Sequence, residues 1–501
     1  MLIKDTNWQR EVDVVVVGFG GAGAPAAITA HDQGAKVLIV EKQPQGSHHN
    51  NTDMSGGGFI NVNDPEKAVR YIESFYKVDD DLYWTDPEVI RVWAEYVSHN
   101  REWIESLGGK VRFFHSGGEQ PGPGSECIDM YFYRGWGWGL MKFLKQQVAD
   151  RNIPVMYNTP AKKLLTNDNG EVLGIRVAQG DEGGGQTVDI RARRAVIMTL
   201  GGFEFDEEMK LNYLKVYPTH FYGTPANSGD GHRMVMELGA DLWHMNSCSA
   251  RLVGKFPDFP IAFTMDLGGK NWLLRQISGK ETEDVCGYIM VDRDAKRFTS
   301  ENFKMHTLYY ELTVYDSHRR LHPRVPSFWI FDHKRIDSGP LPILMAGPSG
   351  PVRLYTWSND NSTEIAKGWI VKADTAAELA RKLELDPDTL EQTVTSYNGY
   401  CQQGHDPEFD RKPSDLVPIS NPPYYAVKMW PGGPNTQGGP KRNHRAQILN
   451  VDGDPIARLY AAGEFGSVYG MLYPSGGGNI AECIAFGRIA GEHAAREEPG
   501  R

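Results

Sequence analysis

The run Val12-Asp13-Val14-Val15-Val16-Val17, followed directly by Gly18-Phe19-Gly20-Gly21-Ala22-Gly23, constrains the fold more than any other stretch of the chain. A β-branched run this short and this apolar predicts a strand buried on both faces, and the glycines predict a tight turn at its end. Ala24 to Gln33 reads as a helix that Gly34 can stop, and Val37-Leu38-Ile39-Val40 reads as a second buried strand closing on Glu41. Together these make a βαβ unit of about 30 residues. Gly18 allows the turn, Gly20 lets backbone approach a pyrophosphate, and Gly23 lets the helix pack closely on the sheet, with Gly21 and Ala22 completing the cradle. Glu41 is placed to accept hydrogen bonds from a ribose diol, and an acid there excludes a 2′-phosphate. The ligand is then NAD or FAD.

Other glycine clusters repeat the theme. Lys42 to Gly58 is a polar loop containing His48-His49-Asn50-Asn51-Thr52 and Ser55-Gly56-Gly57-Gly58. Neighbouring histidines seldom point at one ion, so no metal is expected. The apolar run Ala195 to Leu200 predicts a strand ending at Gly201-Gly202-Phe203, a second backbone approach to the same ligand. Helices are predicted over Trp84 to Leu107 and Trp136 to Asp150, and three short strands between Ile153 and Val177 with a turn at Asn167-Asp168-Asn169-Gly170. Helical spacing recurs at Ala376, Leu379, Ala380 and Leu383, with a fresh helix start at Asp386-Pro387-Asp388. Trp136 and Trp138 read either as packing or as walls of a substrate pocket.

Composition narrows the class. With 53 Lys and Arg against 64 Asp and Glu, the net charge is -11, which lacks the basic excess a nucleic-acid partner demands. A chain of 501 residues exceeds what one hydrophobic core holds, so two or more lobes are expected. No stretch approaches the roughly 18 apolar residues of a membrane span. Met1 to Arg10 lacks the order of a secretion signal, and the reading is a soluble, cytoplasmic protein. Cys127, Cys248, Cys286, Cys401 and Cys483 are scattered and predict neither a disulfide framework nor a zinc site.

Taken in order, the Gly18-x-Gly20-x-x-Gly23 unit with Glu41, Leu200-Gly201-Gly202-Phe203, Asn227-Ser228-Gly229-Asp230-Gly231, Arg297-Phe298-x-x-Glu301, Ala461-Ala462-Gly463-Glu464, and Gly478-Asn479 with Phe486-Gly487-Arg488-Ile489-Ala490-Gly491 form a pattern. It resembles the FAD-dependent fumarate reductase and 3-ketosteroid dehydrogenase superfamily, nearest to its 3-ketosteroid dehydrogenases of the 4-ene-forming (5α) type. The resemblance implies an α/β fold. A discontinuous, Rossmann-like FAD-binding domain of the glutathione-reductase-like kind would span residues 1–224 and 413–501, with an inserted α+β cap or substrate domain at 225–412. It implies FAD as cofactor. Besides the N-terminal cradle, the implied contacts are Lys42, Thr52, Ser55, Gly56, Gly57, Gly201, Gly202, Asp230, Gly463, Glu464, Gly478, Asn479 and Ile480.

Fumarate reductases of that superfamily grip a dicarboxylate with arginines and a histidine, because a guanidinium matches carboxylate geometry. Here the arginine before the C-terminal Gly-Gly-Asn falls on Ser475, the histidine before Thr436 on Asn435, and the proton-donating arginine on Met305. Tyr473-Pro474-Ser475-Gly476-Gly477-Gly478 instead resembles the Tyr-x-Ser-Gly-Gly of the 4-ene-forming enzymes, and His306-Thr307-Leu308-Tyr309-Tyr310 falls near their second tyrosine. The implied reaction is α,β-desaturation of a cyclic ketone. The Tyr473 hydroxyl and a backbone N–H at Gly477 or Gly478 polarise the oxygen. Tyr310 or Tyr309, relayed through Ser475, removes the α-proton. The β-hydrogen leaves as hydride to flavin N5. The implied partners are a small-molecule ketone, either a 3-ketosteroid or a cyclohexanone-like ring, and an electron acceptor that the sequence does not identify. An enoate reductase would need a cationic clamp from Arg134, Arg275 or Arg297, and a bare electron-transfer subunit would lack aligned donors altogether.

Overall fold

The computed structural model describes residues 7–180, 186–269, 285–301 and 306–500. Two compact units emerge: one comprises Met1–Tyr213, Gly223–Cys248 and Asn435–Arg501, the other Leu214–Tyr222 and Ser249–Pro434.

The first unit is organised by a parallel sheet. Strand β1 (Arg10–Val17) is followed by helix α1 (Gly23–Asp32) and β2 (Val37–Val40). Further along come β3 (Val155–Met156), β4 (Gln186–Met198), a short helix α2 (Asp230–Met236), β5 (Pro455–Ala461) and the long helix α3 (Gly478–Arg496). The strands lie in the order β5, β4, β1, β2, β3, all parallel, with Val17 opposite both Val40 and Met198. Val14 to Val17 are fully buried because helices or strands cover both faces, which is why this run carries no polar alternation. Glycines let α1 and α3 approach closely: a Cβ on Gly487 would lie 2.6 Å from the Ala22 carbonyl oxygen, and one on Gly491 2.4 Å from that of Ala26.

Two expectations shift within this unit. The helix expected from Trp84 to Leu107 is broken at His99 into Pro87–Ser98 and Asn100–Ser106, and it starts at Pro87 because Asp86 caps it by accepting from the Glu88 N–H. The strand expected at Ala195 is only the end of β4, whose N-terminal half pairs antiparallel with Val172–Gln179.

The second unit is built on a mixed sheet whose spine is the 13-residue strand Tyr424–Thr436. Ser327–Asp332 and Val371–Ala373 pair with it antiparallel, and His220–Phe221 pairs with it parallel. Helices Ala376–Leu383 and Pro387–Gln403 cover the sheet, capped by Thr375 and Asp386. Ala376, Leu379, Ala380 and Leu383 are all buried, as a core-facing stripe requires. Apart from the Leu214–Tyr222 segment, the second unit thus runs from Ser249 to Pro434, against the expected 225–412. Residues 413–434 supply the spine strand, and α2 belongs with the first unit.

Candidate cofactor cleft and active site

The C-terminal ends of β1, β2 and β4 open on a cleft that lies wholly within the first unit. Gly18 has φ +100°, and a Cβ there would sit 2.5 Å from the Thr199 carbonyl oxygen; one on Gly23 would sit 2.1 Å from the Gly18 oxygen. These two glycines are demanded by the protein itself. Gly20 is different: a Cβ there would meet nothing closer than Asn50 Cβ at 3.9 Å, so the space beside it is kept for something else. Thr199 Oγ1 donates to the carbonyls of Val17 and Gly18 and stiffens the turn.

Glu41 stands at the end of β2, where its carboxylate accepts from the N–H groups of Phe19 (2.9 Å) and Gln43 (2.8 Å). His48 lies over the same corner, its ring parallel to Phe19 at 5.9 Å and its Nε2 3.5 Å from Glu41. Burial, then the charges of Lys145 and His49, push its pKa down to about 3, so the imidazole is neutral and the contact with Glu41 is no ion pair. Across the cleft Lys42 Nζ donates to Asp230 Oδ2 and Ser228 Oγ, both at 2.8 Å, tying the end of β2 to the start of α2.

Of the expected cofactor residues, Gly18, Gly20, Gly21, Ala22, Glu41, Lys42, Thr52, Gly201, Asp230 and Glu464 line this cleft. Others stand outside its lining. Gly57, at φ +66°, lets the loop pass the backbone of Trp136, and Ser55 Oγ donates to the Thr52 carbonyl. Trp136 and Trp138 are 38% and 44% exposed. Asn51 and Asn227 stand in sequence motifs without an expected site role, and Glu204 in none, yet the side chains of Asn51 and Asn227 both donate to Glu464. The cradle, the N-terminus of α1 and an acid at the end of β2 fit an adenine dinucleotide.

Tyr473 is buried, and its Oη accepts the Asn479 N–H at 2.6 Å, at the start of α3. Its ring packs edge-on against Tyr469, whose hydroxyl donates to the Gly478 carbonyl. The loop beneath is pinned: Tyr71 Oη donates to the Pro474 carbonyl, and Gly476 N–H donates to Glu119 Oε1. Ser475 Oγ is buried with no hydrogen-bond partner among the described residues. The Gly478 N–H donates to the Ser475 carbonyl at 3.1 Å. Gly477 has φ +83° and packs on Gly58, where a Cβ would clash at 2.7 Å.

Asn435, in the position of the expected histidine, accepts from Asn479 Nδ2 at 2.7 Å. Tyr309 and Tyr310 lie on the short helix Leu308–Glu311 of the second unit with rings perpendicular at 5.3 Å; Tyr309 is buried and Tyr310 half-buried. Arg297 is closed in a buried network with Glu301 and Asp406, which removes it from any substrate clamp. Met305 and Arg275 lie outside the described residues. No helix among the described residues is long and apolar enough to cross a membrane.

A family model described as FAD binding domain matches residues 13–480. A probable fumarate reductase of Shewanella frigidimarina is 30% identical, over 96% of this chain and 74% of its own length. A 3-oxosteroid 1-dehydrogenase of Mycolicibacterium smegmatis is 28% identical, over 96% of both chains. The fold is similar to that of a solved 3-ketosteroid Δ1-dehydrogenase from Sterolibacterium denitrificans in complex with 1,4-androstadiene-3,17-dione, with a TM-score of 0.81 at 23% identity, covering 97% of this chain and 100% of that one.

Proposed function

The chain belongs to the FAD binding domain family and is a flavin-dependent oxidoreductase; from that premise we propose that it desaturates a cyclic ketone, a 3-ketosteroid before a smaller cyclohexanone-like ring. The observation that carries this reading is the Tyr473 hydroxyl at the N-terminus of α3, with neutral Ser475 and Asn435 where a dicarboxylate enzyme needs an arginine and a histidine.

A phenol oxygen that accepts from a helix N-terminus is a stronger O–H donor, because the positive end of the helix draws charge from it. Tyr473 then polarises the ketone oxygen together with the Gly477 N–H, and the α-hydrogen becomes acidic enough to remove. Ser475, buried with its hydroxyl unpartnered, suits a proton relay between that carbon and a base, for which Tyr310 or Tyr309 is proposed. FAD held in the cleft supplies the acceptor for the β-hydrogen.

A second reading, reduction of an unsaturated acid, draws support from the 30% identity to a probable fumarate reductase.

Anaerobic mixing of the flavin-loaded protein with saturated 3-ketosteroids, cyclohexanones and enoates separates the two. Bleaching of the flavin absorbance by a saturated ketone is expected. Failure of every ketone, with reoxidation of the pre-reduced protein by an enoate, would replace the first reading by the second.

A further inference from the structure

Glu204 and Glu464 meet behind the cleft. A Cβ built on Gly202 would lie 2.8 Å from Glu464 Oε1 and 3.0 Å from Glu204 Oε1, so the two carboxyl groups share one small space. Glu204 is 1% exposed, and Glu464 is accessible only in part, where it lines the cleft. Every donor to the pair is neutral. Asn51 Nδ2 reaches Glu464 Oε2 at 2.8 Å and Glu204 Oε1 at 3.4 Å, Asn227 Nδ2 reaches Glu464 Oε1 at 3.3 Å, and the Thr436 N–H reaches Glu204 Oε1 at 3.0 Å. Among the described residues no lysine, arginine or histidine forms an ion pair with either, and Glu204 Oε2 meets no donor outside the pair.

The charged groups nearby are already engaged. Lys42 and Asp230 are closed on each other, Glu41 is held by backbone N–H groups, and His48 is neutral. From α3, the half-buried Cys483 faces Glu464 with its thiol held well above its usual range, and Glu482 is closed on Arg442.

Two carboxylates that share one small space, largely shielded from water and without a cation paired to either, do not both ionise. Desolvation first, and then the charge of Glu204, hold Glu464 well above the ordinary carboxylate range; burial raises Glu204 as well. We propose that Glu204 and Glu464 hold one proton between them, that Glu464 presents it to the cleft as a neutral hydrogen-bond donor, and that FAD is held tightly only while that proton is present. Once the pair loses it, Glu464 can only accept, and a second negative charge faces a ligand that carries a diphosphate. FAD binding above that pH then takes up one proton, and affinity falls tenfold for each further pH unit.

Glu464→Gln is the informative variant, because a glutamine keeps a donor and cannot lose it. Infrared spectra of the holoprotein at neutral pH should show a protonated-carboxyl C=O band that is absent from both Glu464→Gln and Glu204→Gln. FAD dissociation constants for the apoprotein, measured by fluorescence from pH 6 to 10, should weaken tenfold per unit in the alkaline limb for the native sequence and stay level for Glu464→Gln. The proposal is overturned by a native spectrum without that band, by a native affinity that does not change over the range, or by a Glu464→Gln protein that follows the native alkaline loss. Neither measurement involves a ketone, so an error in the proposed reaction would leave these outcomes unchanged.

Discussion

The hydroxyl oxygen of Tyr473 receives the backbone N–H of Asn479 at 2.6 Å, so the first turn of the 19-residue helix α3 is capped by a phenol six residues upstream of it. Capping and chemistry coincide in this one atom. Tyr473→Phe should leave flavin absorbance intact and lower turnover of a ketone by about 10²-fold, the effect of one lost oxyanion donor. It should also destabilise the fold by about 1–3 kcal/mol, because the Asn479 N–H is left buried without an acceptor. Steady-state kinetics and thermal unfolding measure the two effects separately, and an unchanged turnover would remove Tyr473 from the reaction.

The glycine cradle allows two substitutions with opposite expectations. Gly20→Ala meets no protein atom closer than 3.9 Å, so the apoprotein should melt as the native one does while FAD binds at least about tenfold more weakly. Gly23→Ala places a Cβ 2.1 Å from the Gly18 oxygen and should destabilise the apoprotein itself by about 1–3 kcal/mol. Calorimetry with and without FAD distinguishes them; equal losses in the apoproteins would deny Gly20 its role toward a ligand.

His48 offers a test in pH. Its pKa is pushed down to about 3 by burial, against an ordinary value of 6.5, so between those limits the unfolded chain binds a proton that the folded one refuses. Stability contributed by the neutral ring is present above about pH 6.5 and lost as pH falls. His48→Phe keeps a ring against Phe19 and removes the titration. The slope of unfolding free energy against pH between about 4 and 6 should then be shallower by close to one proton, about 1.4 kcal/mol per pH unit. Denaturant titrations at several pH values read the slope directly.

Arg442 and Glu482 form a fully buried ion pair whose arginine also lies 4.5 Å from the Phe486 ring centroid. Glu482→Gln strands the guanidinium and should lower stability by about 3–5 kcal/mol. Chemical denaturation would register it, and a loss below about 1 kcal/mol would mean that the cation finds water or another acceptor.

The cradle was legible because its information is local: glycine spacing, a β-branched run and an acid at a fixed distance all sit within Val12 to Glu41. Glu204 was not, since an acid in the stretch Glu204-Phe205-Asp206-Glu207-Glu208 looks like any solvated helix start. Only the fold sets it beside Glu464, 260 positions later (464 − 204). Asn51 was hidden for a similar reason, as its loop has no periodicity to show which side chain points inward. The strand Tyr424–Thr436 blurred the domain boundary, because no change of composition marks the spine of a sheet whose other strands come from as far back as His220. The break at His99 was invisible for want of a proline or glycine there.

The walls of the cleft come from Val17, from Asp230 and from Cys483, far apart in order of synthesis. On a ribosome, the second unit has all of its residues once Pro434 has emerged, whereas the pocket still lacks Ala462, Glu464 and Cys483. A nascent polypeptide stalled anywhere in that interval carries an open, unfinished nucleotide site, and flavin can be enclosed only after Cys483 has followed.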